Sequence, residues 1–191
     1  MNKNRLEAFS DGVIAIILTI MVLEFKVPHA ANWAALQQLL PIFLTYLLSF
    51  ISIATYWNNH HHLLHAVQQV GGGVLWANMH LLFWLSLLPF VTGWMGETGF
   101  SQVPVALYGL VIVGAASAFS ILVRALVSQR SKNQQLATAI GGDFKGKISI
   151  IIYVAAIGLT FVSTLLSCAM YAAVAIMWLI PDRRIEKTLQ H

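Results

Sequence analysis

Of 191 residues, 58% are hydrophobic and only 9% charged, with a formal net charge of +4, whereas a soluble domain carries roughly 25% charged residues. The chain therefore reads as an all-α, polytopic integral membrane protein with room for about five to seven spans of about 20 residues and no sizeable extramembrane domain. A single cysteine, Cys168, excludes an internal disulfide and a thiolate metal cluster.

The first span is expected over residues 6–25. It carries a carboxylate, Asp11, near one end and a hydroxyl, Thr19, in the middle of an aliphatic run. A charge inside the bilayer costs several kcal/mol unless it is paired or faces water, so Asp11 is a functional candidate by default. Thr19 is a weaker sign, because a membrane hydroxyl can return its hydrogen to a carbonyl one turn back. The second span is expected over 33–57, with Pro41 as a mild kink at most. It is followed by Asn58, Asn59, His60, His61, His62 and His65, and then by the breaker Gly71-Gly72-Gly73. A third span over 74–94 holds Asn78 and His80 near its start and Pro89 near its end; a fourth covers 103–127. The last apolar run, Ile148 to Ile180, is too long for one span and short for two. A split near Leu166-Ser167 gives a fifth span over 148–165 and a sixth over 167–180.

The charges favour that split. With six spans and both termini cytoplasmic, Lys3, Arg5, Arg124, Arg130, Lys132, Lys145, Lys147, Arg183, Arg184 and Lys187 lie inside and only Lys26 lies outside. Five spans would force the C-terminal basic group outward. The basic excess thus reports orientation, and no nucleic-acid partner is expected.

By this topology Arg5, Ser10, Asp11, Trp57, His60, His61, Asn78 and His80 share one depth and could form a single inter-helix polar network. It would serve as a proton-sensitive gate or, the favoured reading, as a structural clamp, because buried polar groups must be hydrogen-bonded whether or not anything moves. His61 and His65 share a helix face if the helix continues. With no acidic or thiol ligand beside them in sequence, no metal site is expected. No Walker loop, HExxH or GxSxG is present, and the carboxylates are too scattered for a paired acid and base, so the chain is not expected to be an enzyme. No internal repeat of the secondary-transporter kind is visible.

Arg5-Leu6-Glu7-Ala8-Phe9-Ser10-Asp11 resembles the RxxxFSD signature that opens the first helix of the TMEM175 family of cation channels. Tyr56-Trp57-Asn58-Asn59-His60-His61 resembles that family's YWxxHH element, and Asn78 with Pro89-Phe90 its third-helix pattern. The resemblance implies a six-span subunit of the prokaryotic type that assembles as a homotetramer and conducts potassium and other monovalent cations. It also implies a pore lined by the first helices and narrowed by aliphatic side chains, without a carbonyl filter.

Ile16, Thr19, Ile20 and Leu23 fall at i, i+3, i+4 and i+7, one stripe of that helix. Set beside the resemblance, they are the expected constriction and selectivity residues, gating by narrowing and dewetting with modest preference for potassium over sodium. Asp11 lies about 220° around the helix from Ile16 and should point away from the stripe. No cofactor is expected, only the permeant K+, in a bacterial or archaeal plasma membrane. The rival is a proton-coupled secondary transporter using Asp11 and the histidines as a relay.

Overall fold

The structure, a computed structural model, describes residues 3–65, 67, 70–128 and 144–179. The described residues are helical, joined by turns and short loops. α1 (Lys3–Met21) buries Leu6, Ser10, Ile14, Ile17 and Met21, a stripe spaced by three and four residues that needs one packed side only. A 3-10 turn, Val22–Glu24, extends it.

α2 (Trp33–Gln37) is short and is capped by Asn32, whose side chain accepts from the Ala35 amide at 2.8 Å. α3 (Leu40–His65) follows after a break at Gln38-Leu39. Pro41 explains the break: it has no N–H and its ring collides with the carbonyl four residues back, that of Gln37, where α2 stops. Pro41 thus interrupts the segment where only a mild kink was expected. α3 then runs for 26 residues, about 39 Å, and carries His60, His61, His62 and His65 within the helix. Pro89 acts in the same way, separating α4 (Gly72–Ser86) from α5 (Leu88–Glu97) at Leu87. Gly99, at φ 58°, closes α5, with the Phe100 amide returning to the Met95 carbonyl at 3.0 Å.

α6 (Gln102–Ser128) is followed by α7 (Phe144–Leu159) and α8 (Thr164–Leu179). The chain turns between these last two at residues 160–163, a few residues before the expected division at Leu166-Ser167. Ser163 caps α8 by accepting from the Leu166 amide. Ser167 lies inside the helix, fully buried, and donates across the hairpin to the Ala156 carbonyl at 2.8 Å. Arg130, Lys132, Pro181, Arg183, Arg184 and Lys187 lie outside the described residues.

Among the described residues, four stretches are long and apolar enough to cross a membrane: Lys3–Glu24, Leu40–His65, Gly72–Glu97 and Gln102–Ser128; Thr164–Leu179 is a shorter apolar helix. Large apolar side chains such as Trp33, Trp76, Val162 and Leu165 stand fully outward, as lipid-facing surface does and water-facing surface rarely does. α6 is central, packing against α4 and α5 on one side and α7 and α8 on the other. Small residues bring the helices close. A Cβ on Gly114 would lie 2.3 Å from the Trp84 ring, and one on Gly109 would overlap the Tyr171 hydroxyl, so both backbones touch large rings directly. α1 packs on α3, α4 and α5 and leaves its other face uncovered.

Candidate functional site

The residues of interest divide between the two faces of α1. On its buried face Ser10 donates to the Leu6 carbonyl at 2.8 Å and accepts from Asn78 Nδ2 at 2.9 Å. Asn78 Oδ1 faces His60 Nε2 at 2.7 Å. Since the Asn78 amide nitrogen is committed to Ser10, its oxygen must accept, so His60 is held as the Nε2–H tautomer. The chain of donors has one direction: His60 to Asn78, Asn78 to Ser10, Ser10 to Leu6. All three side chains are buried, and together they join α3, α4 and α1. His60 Nδ1 is left as a buried lone pair with no partner among the described residues.

At the edge of that triad α1 and α3 run antiparallel and are tied by a ladder. Trp57 Nε1 donates to Asp11 Oδ1 at 2.9 Å; His61 Nδ1 meets Glu7 Oε1 at 3.1 Å; Lys3 Nζ donates to the His65 carbonyl at 3.2 Å. Lys3, Glu7 and Asp11 are four apart, as are Trp57, His61 and His65, so each helix presents one row. The rings of Trp57, His61 and His65 stack at centroid separations of 6.0 and 5.9 Å. Glu7 and Lys3 were not singled out from sequence; the matching four-residue spacing of the two rows is the signal that marks them.

Two residues expected in the network stand apart from it. His80 is exposed, and its Nε2 accepts from Trp84 of the same helix at 3.0 Å. It lies two residues, about 200°, from Asn78, so the two cannot face one core. Arg5 lies on the uncovered face of α1 and is exposed.

That uncovered face also carries the aliphatic stripe. Ile16 is 58% exposed, Ile20 43% and Leu23 75%, with Thr19 exposed between them. The Thr19 hydroxyl donates to the Ile16 carbonyl at 2.9 Å, which spends its hydrogen and leaves oxygen lone pairs outward. A Cβ built on Gly12, on the same face, meets nothing within 4 Å. Asp11, bonded to α3, does not share this face. The arrangement is a helix fastened by polar groups on one side and presenting Ile, Thr, Ile and Leu on the other.

Comparison with known proteins agrees on one family. The family model described as "Endosomal/lysosomal potassium channel TMEM175" matches residues 5–89. The chain is 53% identical over 190 residues to a protein named as a potassium channel from Chryseobacterium sp. (strain P1-3), covering 100% of this chain and 99% of that one. It is 30% identical over 147 residues to a protein named as an endosomal/lysosomal proton channel from Gallus gallus, covering 68% of this chain and 29% of that one. Among solved structures, the crystal structure of a lysosomal potassium-selective channel TMEM175 homolog from Chamaesiphon minutus superposes with a TM-score of 0.83 at 28% identity, covering 94% of this chain and 97% of that one.

Proposed function

Because this chain belongs to the TMEM175 family, we propose that it is a potassium channel subunit, four copies of which surround one conduit in a bacterial or archaeal plasma membrane. Each copy spans the membrane six times with both ends cytoplasmic. The α1 helices line the conduit, and Ile16, Thr19, Ile20 and Leu23 form its narrow zone.

The observation that carries this reading is the two-sidedness of α1. A helix tied to its own bundle by a buried triad and a ladder of polar contacts, yet leaving a row of aliphatic residues uncovered, is shaped to meet something outside the subunit. One helix cannot enclose water, but copies of it about an axis can, and closed cyclic symmetry is the usual solution. Rings of Ile16 and Leu23 then resist hydration and close the path by dewetting. Thr19 supplies a ring of oxygens whose hydrogens are already directed to the Ile16 carbonyls. Such oxygens replace part of a hydration shell and aliphatic groups replace none, so selectivity for K+ over Na+ is modest.

Proton-coupled carrier transport is the second reading. The name borne by the Gallus gallus relative keeps protons in view as a permeant species. A relay by Asp11 and the histidines is poorly supported, because the described triad ends on the Leu6 carbonyl and the ladder lies at one end of α1. Purified protein should elute as a tetramer by light scattering, and in liposomes it should pass currents whose reversal follows the K+ gradient. A monomer with saturable, proton-driven flux would favour the carrier.

A further inference from the structure

The two ends of the α1 stripe carry opposite charges, and neither is paired among the described residues. Arg5 stands exposed on the uncovered face, within about 60° of Ile16 and Ile20 around the helix. The carboxylates nearest to it in sequence turn elsewhere: Glu7 and Asp11 lie about 160° and 120° away around the helix and are bonded to His61 and Trp57 of α3. At the other end Glu24 lines an open space beside α1 together with Ile16, Ile20, Ser86 and Phe90. Its carboxylate rests on the α5 backbone, where a Cβ on Gly93 would come within 2.7 Å of Oε2. Glu24 forms no hydrogen bond or salt bridge among the described residues, and Lys26, two residues on, donates to Glu97 instead.

Glu24, Lys26 and Glu97 together leave one net negative charge at this end. The separation decides how the two charges act. From residue 5 to residue 24 the helix and its last turn span about 28 Å, close to the thickness of a bilayer's apolar core and almost three Debye lengths at about 0.1 M salt. Each charge therefore acts on its own mouth and barely on the other. A mouth lined by one sign of charge enriches the opposite ion and depletes its own. We propose, on the reading of α1 as the conduit wall with its N-terminus cytoplasmic, that Glu24 and Arg5 set the direction in which K+ passes more easily. Four Glu24 carboxylates gather K+ at the outer mouth and four Arg5 guanidinium groups thin it at the cytoplasmic mouth, so inward current exceeds outward current.

Single-channel recording in inside-out patches from cells expressing the full chain, with equal KCl and no divalent cations or polyamines on either side, tests this. At about 0.1 M KCl inward current should exceed outward current about twofold or more at equal and opposite voltages, and the ratio should fall toward one at about 1 M, where the Debye length is about 3 Å. Glu24→Gln should lower the inward current, and Glu24→Asp, which keeps the charge, should restore it; Arg5→Gln should raise the outward current. Should Arg5→Gln fail to assemble, the salt series and the two Glu24 variants still decide. A symmetric current at low salt, an asymmetry of the opposite sense, a ratio indifferent to salt, or a Glu24→Gln channel indistinguishable from the parent would overturn the assignment. Ile16→Asn separates its failure from that of the conduit: if that variant changes conductance while the parent current is symmetric, only the role of the two charges falls, and if it changes nothing, the conduit falls and the charges with it.

Discussion

Asn78 shows what a single side chain contributes, because it alone joins the α3 and α1 members of the triad. Asn78→Ala should lower stability by about 1–3 kcal/mol, since both Ser10 and His60 lose a partner in a buried setting, whereas His80→Ala should stay within about 0.5 kcal/mol. Thermal melts of the two purified variants test this, and equal shifts would contradict the triad. Both residues stood out in sequence as polar groups in an apolar run, and composition could not separate them; their angular separation on the helix did. Glu7 was passed over because a carboxylate at the end of a span looks like ordinary interfacial charge, and its role depends on His61 reaching it from another helix. The conduit assignment is also tested at this scale: Ile16→Asn should raise unitary conductance by wetting the narrow zone, and unchanged currents would count against it.

At the scale of the helix, apolar runs made most elements legible, while their interruptions depended on chemistry that hydropathy does not weigh. Pro41 and Pro89 were visible, but the breaks they cause lie ahead of them, where the carbonyl four residues back is displaced. The α7 to α8 turn was misplaced because Thr160, Ser163 and Ser167 are equally polar; Ser163 caps, Thr160 and Ser167 are buried and both donate to the Ala156 carbonyl, and only packing tells these roles apart. The close approach of α4 and α6 was not legible at all, since nothing local couples Gly114 to Trp84. Gly114→Ala should therefore destabilise by about 1–3 kcal/mol through overpacking. Trp84→Leu, neutral or mildly costly alone, should recover most of that loss in the double variant, and strict additivity in melting experiments would show that the two do not press on each other.

For the whole molecule, class and membrane setting were readable from composition, because 9% charge leaves no other solvent for the surface. The proposed assembly rests on the resemblance: an exposed row on α1 faces lipid or a neighbour with equal ease, and a single chain does not distinguish them. Asp11→Ala removes the rung to Trp57 and should lower the yield of tetramer on size exclusion; normal assembly would assign Asp11 a lesser part. The ladder also divides α1 mechanically. From Lys3 to Asp11 the helix is bolted by directional bonds; among the described residues, 12–24 shows no polar bond to another helix and rests on apolar contacts that include Ile14, Ile17 and Met21, until Lys26 pairs with Glu97 of α5. The segment bearing Ile16 to Leu23 is thus a beam held at both ends, by Asp11 and by Lys26, whose middle can bow without breaking a polar bond. If copies surround one conduit as proposed, pulsed dipolar distances between spin labels at Ile20 of different subunits should be broader than those at Ala8, and equal widths would show a stiff rod.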